Sequence, residues 1–282
     1  MTVHSLANHN LTLSSGLQLA YYDSGEGSGV LAENSAIVLL HGFCGSSSYW
    51  ESIIPRIQGL GRILIPDLRG HGRSSAPDDA VYAMEAFADD LLQLVDALHV
   101  RHVYLFGHSL GGYVSLAFAD KYPEKVSSLS LVHSTAMADT AEAKLNRDKA
   151  AQAIATEGIE KFVEGLVPKL FAPAHLVKMA DKVQEVIAIG YGTSAAGAAA
   201  TALGMKIRAD RRDVLDELNV PRLLIAGSED GVIPAEKTFT AEGSNVSQVV
   251  LNDTGHMGMV ESPAALGERI AAFIRFLSTL RE

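Results

Sequence analysis

The 282-residue chain has a single cysteine, Cys44, so no disulfide can form within it. That suits a reducing compartment, and the cytoplasm is the expected location. Cationic residues are scarce: 23 Lys and Arg against 33 Asp and Glu leave a formal net charge of −10. Such a surface repels phosphate backbones and anionic lipid, so neither nucleic acid nor a membrane is an expected partner. No run is apolar for the length that a bilayer span needs. Residues Met1 to Ala20 hold no Lys or Arg and no long apolar run, which argues against a signal peptide. Metal-ligand spacing is missing among the His, Asp and Glu residues, and no metal or cofactor is expected. Gly25-Glu26-Gly27-Ser28-Gly29 lacks the Lys and the following helix of a phosphate-binding loop. Apolar residues are plentiful, 48% against 20% charged, which excludes wholesale disorder and supplies a sizeable core.

The apolar residues fall in two patterns. Leu11 to Leu13 and Leu17 to Tyr22 alternate with polar residues and read as two exposed strands joined through Ser15-Gly16. Ile37 to Leu40, Ile63 to Ile65, Val103 to Phe106, Leu129 to Val132, Leu223 to Ala226 and Val249 to Leu251 are continuous runs. Continuous runs suit strands buried on both faces, the habit of parallel sheets. Between them, Phe87, Leu91, Leu94, Val95 and Leu98 recur at helical spacing, and Pro263 to Leu280 reads as a closing helix. Alternating strands and helices imply an α/β fold. From Ala136 to about Arg208 no strand candidate occurs. Apolar stripes there (Ile159 to Leu170, Leu176 to Ile187) and the Ala/Gly-rich stretch 195–202 predict an all-helical insertion.

Gly107-His108-Ser109-Leu110-Gly111 matches G-x-S-x-G, with an apolar run before it and helical character after it. That is the context of a nucleophile elbow, which would lift Ser109 above the carboxyl edge of the sheet. A serine hydroxyl needs a base, and the base needs an orienting acid. Asp230 follows the run ending at Ala226, and His256 follows the run ending at Leu251, the order Ser, acid, His. Neighbouring Glu229 is the fallback acid. An oxyanion hole needs two N–H donors. Leu110 would supply one at the start of its helix, and Phe43 the other from His41-Gly42-Phe43.

Together with Asp67-Leu68-Arg69-Gly70-His71-Gly72-Arg73-Ser74, these motifs resemble the α/β-hydrolase superfamily, in its serine-nucleophile, cap-bearing, esterase-like form. The resemblance implies a mostly parallel eight-stranded sheet flanked by helices, with a helical cap inserted after the sixth strand. It implies a core of residues 1–135 and 209–282 and a cap of residues 136–208. It implies Ser109 as nucleophile, His256 as base, Asp230 as orienter and the Phe43 and Leu110 N–H groups as oxyanion hole. No cofactor is implied.

The expected function is a serine hydrolase acting on a carboxylic ester or lactone through an acyl-enzyme. An apolar cap predicts a small uncharged substrate, with His133, Phe162, Leu166 and Met179 as candidate lining residues. Other chemistries share this triad: a carbon–carbon bond hydrolase, an acyltransferase, a perhydrolase, or a ligand-sensing protein with slow turnover. A carbon–carbon bond hydrolase would need a cation for its anionic substrate, and Arg147 and Arg208 are the candidates. Asp67 to Ser74 reads as a structural brace, and Cys44 as a buried inert thiol.

Overall fold

The computed structural model describes residues 4–25 and 29–280. Of the Gly25–Gly29 stretch, residues 26–28 lie outside the described residues, as do residues 1–3 of the amino-terminal segment. In chain order the elements begin with β1 (His9–Thr12), β2 (Gln18–Asp23), β3 (Ser35–Leu40), α1 (Ile54–Ile57), β4 (Arg62–Pro66) and α2 (Met84–Ala97). They continue with β5 (His102–His108), α3 (Leu110–Lys121) and β6 (Val126–Val132). Six helices follow without a strand: α4 (Ala141–Glu157), α5 (Ile159–Leu166), α6 (His175–Lys178), α7 (Ala180–Gly190), α8 (Ala195–Ile207) and α9 (Arg212–Glu217). Then come β7 (Arg222–Gly227), α10 (Ala235–Thr238), β8 (Val246–Leu251), α11 (Gly258–Glu261) and α12 (Pro263–Thr279).

The strands form one eight-stranded sheet in the order β1-β2-β4-β3-β5-β6-β7-β8. From β4 to β8 every pairing is parallel, whereas β1 with β2 and β2 with β4 are antiparallel. The period-2 alternation of strand side chains divides each central strand between two apolar layers. Ala36, Val38 and Leu40 of β3 and Val103 and Leu105 of β5 pack with Phe87, Leu91 and Phe118 of α2 and α3. Ile37 and Leu39, with Tyr104 and Phe106, face the other way onto Ile57 of α1 and Ile270 and Ile274 of α12. Strands covered on both faces need apolar residues at every position, which is why they read as unbroken runs.

Two expectations change. Tyr21 and Tyr22 of β2 pair with Pro66 and Ile65 of β4, so Leu19, Ala20 and Tyr21 are buried and β2 is not an exposed strand. The closing strand β8 is an edge strand, and its residues 247 and 248 face solvent.

The helical insertion lies where expected, after β6. Pro168 ends the stripe of α5 and opens a 3₁₀ turn at Val167–Leu170. The small residues of α8 answer a close approach: a Cβ on Gly204 would fall 1.6 Å from the Tyr82 carbonyl oxygen. At the base of the insertion, Asp139 is buried and takes both Arg208 (2.6 Å) and Arg147 (3.0 Å), and the Arg208 guanidinium lies 4.0 Å over the Tyr113 ring. Asp67 is the hub expected of its motif. Its carboxylate accepts from Ser47 N (2.7 Å), Arg73 N (2.8 Å) and Ser5 Oγ (2.5 Å), which ties three loops together. No single described helix is long and apolar enough to cross a membrane.

Candidate active site

β4 lies on one side of β3 and β5 on the other, so the chain reverses its winding direction between β3 and β5. In open α/β sheets ligands bind at such a point, outside the carboxyl ends of the strands. The loops after β3, β5, β7 and β8 carry the candidate residues.

Ser109 follows β5 with φ 50° and ψ −112°, a conformation that side chains other than glycine rarely hold. The bend is tight: a Cβ on Gly107 would meet the Gly111 carbonyl oxygen at 2.3 Å, and one on Gly111 the Leu40 carbonyl oxygen at 2.4 Å. The Ser109 N–H bonds to Val132 O at 3.1 Å, and Ser134 Oγ donates to the Ser109 carbonyl at 2.7 Å. These bonds fix the bend and leave the hydroxyl partly exposed.

Leu110 opens α3, so its N–H has no partner within the helix. Across from it, a Cβ on Gly42 would lie 3.4 Å from Ser109 Cβ, which sets the loop after β3 directly against the elbow. Gly45 N bonds back to Gly42 O at 3.1 Å with Cys44 at φ 56°, closing a turn around Phe43. His41 locks the turn. Its Nδ1 donates to Gly42 O (2.8 Å) and its Nε2 accepts from Leu68 N (2.9 Å). Among the described residues neither the Phe43 nor the Leu110 N–H donates a hydrogen bond. Two unpaired donors beside a serine can hold an oxyanion. Cys44, next to them, is buried, and burial pushes its thiol well above its ordinary range, so it is inert.

Asp230 lies in the loop after β7 with its side chain fully buried. Oδ1 accepts from the Val232 and Ile233 N–H groups, both at 2.9 Å. Oδ2 accepts from His256 Nδ1 at 2.8 Å and from His133 Nδ1 at 3.2 Å. Burial alone would raise this carboxyl. The His256 and His133 imidazoles outweigh burial and hold it far below the usual carboxylate range. Glu229 is exposed, and its backbone N–H bonds to Thr254 O at 2.9 Å.

The loop carrying His256 is held from three sides. Its N–H donates to Leu170 O of the helical insertion at 2.7 Å, and its carbonyl accepts from His108 Nε2 at 2.9 Å. Glu261 accepts from Met257 N (3.0 Å), Ala172 N (2.8 Å) and His175 Nδ1 (2.8 Å), binding the loop to the insertion. The sequence reading missed Glu261 and His175. The available signal was a glutamate closing an apolar stretch after Met257. With Nδ1–H given to Asp230, the His256 ring presents a bare Nε2 that can accept a proton. Among the described residues no hydrogen bond joins it to the Ser109 hydroxyl.

The Phe162 ring packs edge-on against Phe43 at 6.0 Å, and Leu166 joins the same apolar cluster. Met179, at the start of α7, stands outside that cluster. His133 is 0% exposed and is held against Asp230, a place on the acid rather than under the insertion. A cavity of about 480 Å³ against Asn34, Arg62 and His99 lies at the opposite end of the sheet and contains none of these residues.

The profile of the alpha/beta hydrolase fold family matches residues 35–186, more than half of the chain. The chain belongs to that family. Its fold matches a thermophilic esterase from Thermogutta terrifontis with a TM-score of 0.87 at 30% identity, covering 96% of this chain and 98% of that one. A putative carbamate hydrolase, RutD, from Rhizobium rhizogenes is 29% identical over 255 residues, 87% of this chain and 94% of the relative. An enol-lactonase from Burkholderia xenovorans shares the fold with a TM-score of 0.85 at 23% identity, covering 95% and 100% of the two chains.

Three buried imidazoles near the site link this α/β hydrolase fold to acid sensitivity. Burial lowers His41 to about 4. Burial, with His41 beside it, lowers His71 to about 3, and burial sends His108 well below its ordinary value. Each is more basic in the unfolded chain, so below about pH 6.5 the unfolded state takes up protons first. Stability is complete above that pH and falls as pH drops towards the folded values. The limiting slope is about 1.4 kcal/mol per pH unit for each histidine. Thermal melts from pH 7.5 to 4.5 should show Tm falling from near pH 6.5. A flat Tm down to pH 5 would contradict neutral burial of these rings.

Proposed function

We propose that the protein is a serine hydrolase that cleaves a small, uncharged carboxylic ester or lactone. One observation carries the reading: a strained, partly exposed serine beside two N–H groups without acceptors, with an imidazole held by a buried carboxylate in a loop at the same carboxyl edge of the sheet. The Ser109–His256 hydrogen bond forms in the substrate complex, as such contacts often tighten only there. Ser109 Oγ then bonds to the carbonyl carbon while its proton passes to His256 Nε2. The carbonyl oxygen takes the negative charge and accepts from the Phe43 and Leu110 N–H groups. The carbon–oxygen bond to the leaving group breaks, and His256 returns its proton to that oxygen. Water repeats the sequence on the acyl-serine and frees the acid. The family and the esterase, enol-lactonase and carbamate hydrolase relatives support this chemistry.

Two ion pairs of the insertion support an uncharged substrate. Arg147 and Arg208, the two cations suited to an anionic substrate, both bind Asp139. That disfavours the carbon–carbon bond hydrolase reading. A panel of aryl esters of rising acyl length, with lactones and aryl carbamates, tests the proposal. Turnover is expected on at least one ester or lactone of the panel. No turnover on any ester or lactone would overturn it.

A further inference from the structure

The carboxylate that orients His256 also serves a second histidine. His133 ends β6 at φ 47°, with its N–H bonded to Ile225 O at 2.8 Å and its ring completely buried. Its Nδ1 and that of His256 converge on the same oxygen, Asp230 Oδ2, at 3.2 and 2.8 Å. Its Nε2 is buried with no partner among the described residues and lies against Gly258, where a Cβ would come within 2.3 Å. A buried N–H without an acceptor is the worse of the two tautomers, so the His133 proton belongs on Nδ1, donated to the acid. Four donors thus surround one carboxylate: two backbone N–H groups on Oδ1 and two imidazoles on Oδ2.

We propose that His133 is a positioning residue for the reaction: by sharing Asp230 Oδ2 it limits the carboxylate's pull on the His256 Nδ1 proton and so holds the acid in the state that suits the base. The proposal rests on the reading of Ser109, His256 and Asp230 given above. A hydrogen bond that stabilises the carboxylate weakens it as an acceptor for its other partner. Among the described residues, the other titratable groups facing this pair are His108, from β5, with its ring 5.0 Å from that of His256 and 6.2 Å from that of His133, and Glu261, from α11. His108 is kept neutral by burial, and Glu261 is engaged with Met257, Ala172 and His175, so neither replaces the His133 donor.

Two substitutions separate this role from packing. Glycine holds φ 47° without strain and removes the imidazole. Asparagine tolerates the same backbone and can place its amide N–H where Nδ1–H stands. The measurement is ¹⁵N NMR on histidine-labelled protein, with His256→Gln used to assign the resonances. In the wild type, His133 should carry its proton on Nδ1 with Nε2 bare. In His133→Gly the His256 titration midpoint should rise by about half a unit or more, roughly a threefold loss of unprotonated base on the acid side. His133→Asn should restore the wild-type midpoint, and the acid limb of kcat/KM should move with it. A proton on Nε2 of His133, or equal midpoints in wild type and His133→Gly, overturns the proposal. Should the glycine variant not fold, the wild-type tautomer decides, and His133→Ala, which also lacks the donor, takes the glycine variant's place in the midpoint comparison. The NMR needs no substrate, so absence of ester cleavage would remove the hydrolase reading and leave this result standing.

Discussion

Ser109→Ala should lower kcat on any cleaved ester by about 10⁴-fold or more while leaving Tm within a few degrees of wild type. The substitution removes only Oγ, which no hydrogen bond ties to the fold among the described residues. Alanine pays the same conformational penalty as serine at φ 50°, so the elbow is retained. The Phe43 and Leu110 N–H groups remain, and they account for whatever residual rate is left. Activity near the wild-type level in a preparation free of wild-type enzyme would remove Ser109 as nucleophile.

Asp230→Asn should cost a comparable factor, about 10⁴ in kcat, and should also lower Tm. The reason lies in the four donors around the carboxylate. An amide has one oxygen to give. With that oxygen towards Val232 and Ile233, its NH₂ faces the two imidazoles and donates to His256 Nδ1, which moves the ring proton to Nε2 and ends its use as a base. With the oxygen towards the imidazoles, the NH₂ opposes two buried N–H groups. Glu229→Gln, exposed and outside this cluster, should keep kcat within about twofold. Loss of activity in Glu229→Gln with retention in Asp230→Asn would reassign the acid.

Much of this was legible because burial writes itself into the sequence. Val103 to Phe106 and Leu223 to Ala226 read as strands since both faces are covered, and the glycines around Ser109 mark the bend that their neighbours' backbones crowd. Asp230 and His256 could be placed from their positions after two such runs. The surroundings of the acid could not. His133 and Asp230 are 97 residues apart, and His108 and His256 148 apart, so only the sheet order brings them together. Lone histidines at strand ends carry no periodic signal, and His133 was therefore read as a pocket residue. The burial of β2 was hidden likewise: its alternation fits an exposed hairpin until pairing with β4 covers it. The brace of Glu261 on Ala172 and His175 depends on how the insertion descends onto the loop of His256, which no local pattern records.

Labelling with a fluorophosphonate, followed by peptide mass spectrometry, tests the hydrolase reading most directly. The expected result is one stoichiometric adduct on Ser109, formed at a rate that collapses in His256→Gln. An adduct mapped to any other residue, or none in protein that cleaves esters, would contradict it.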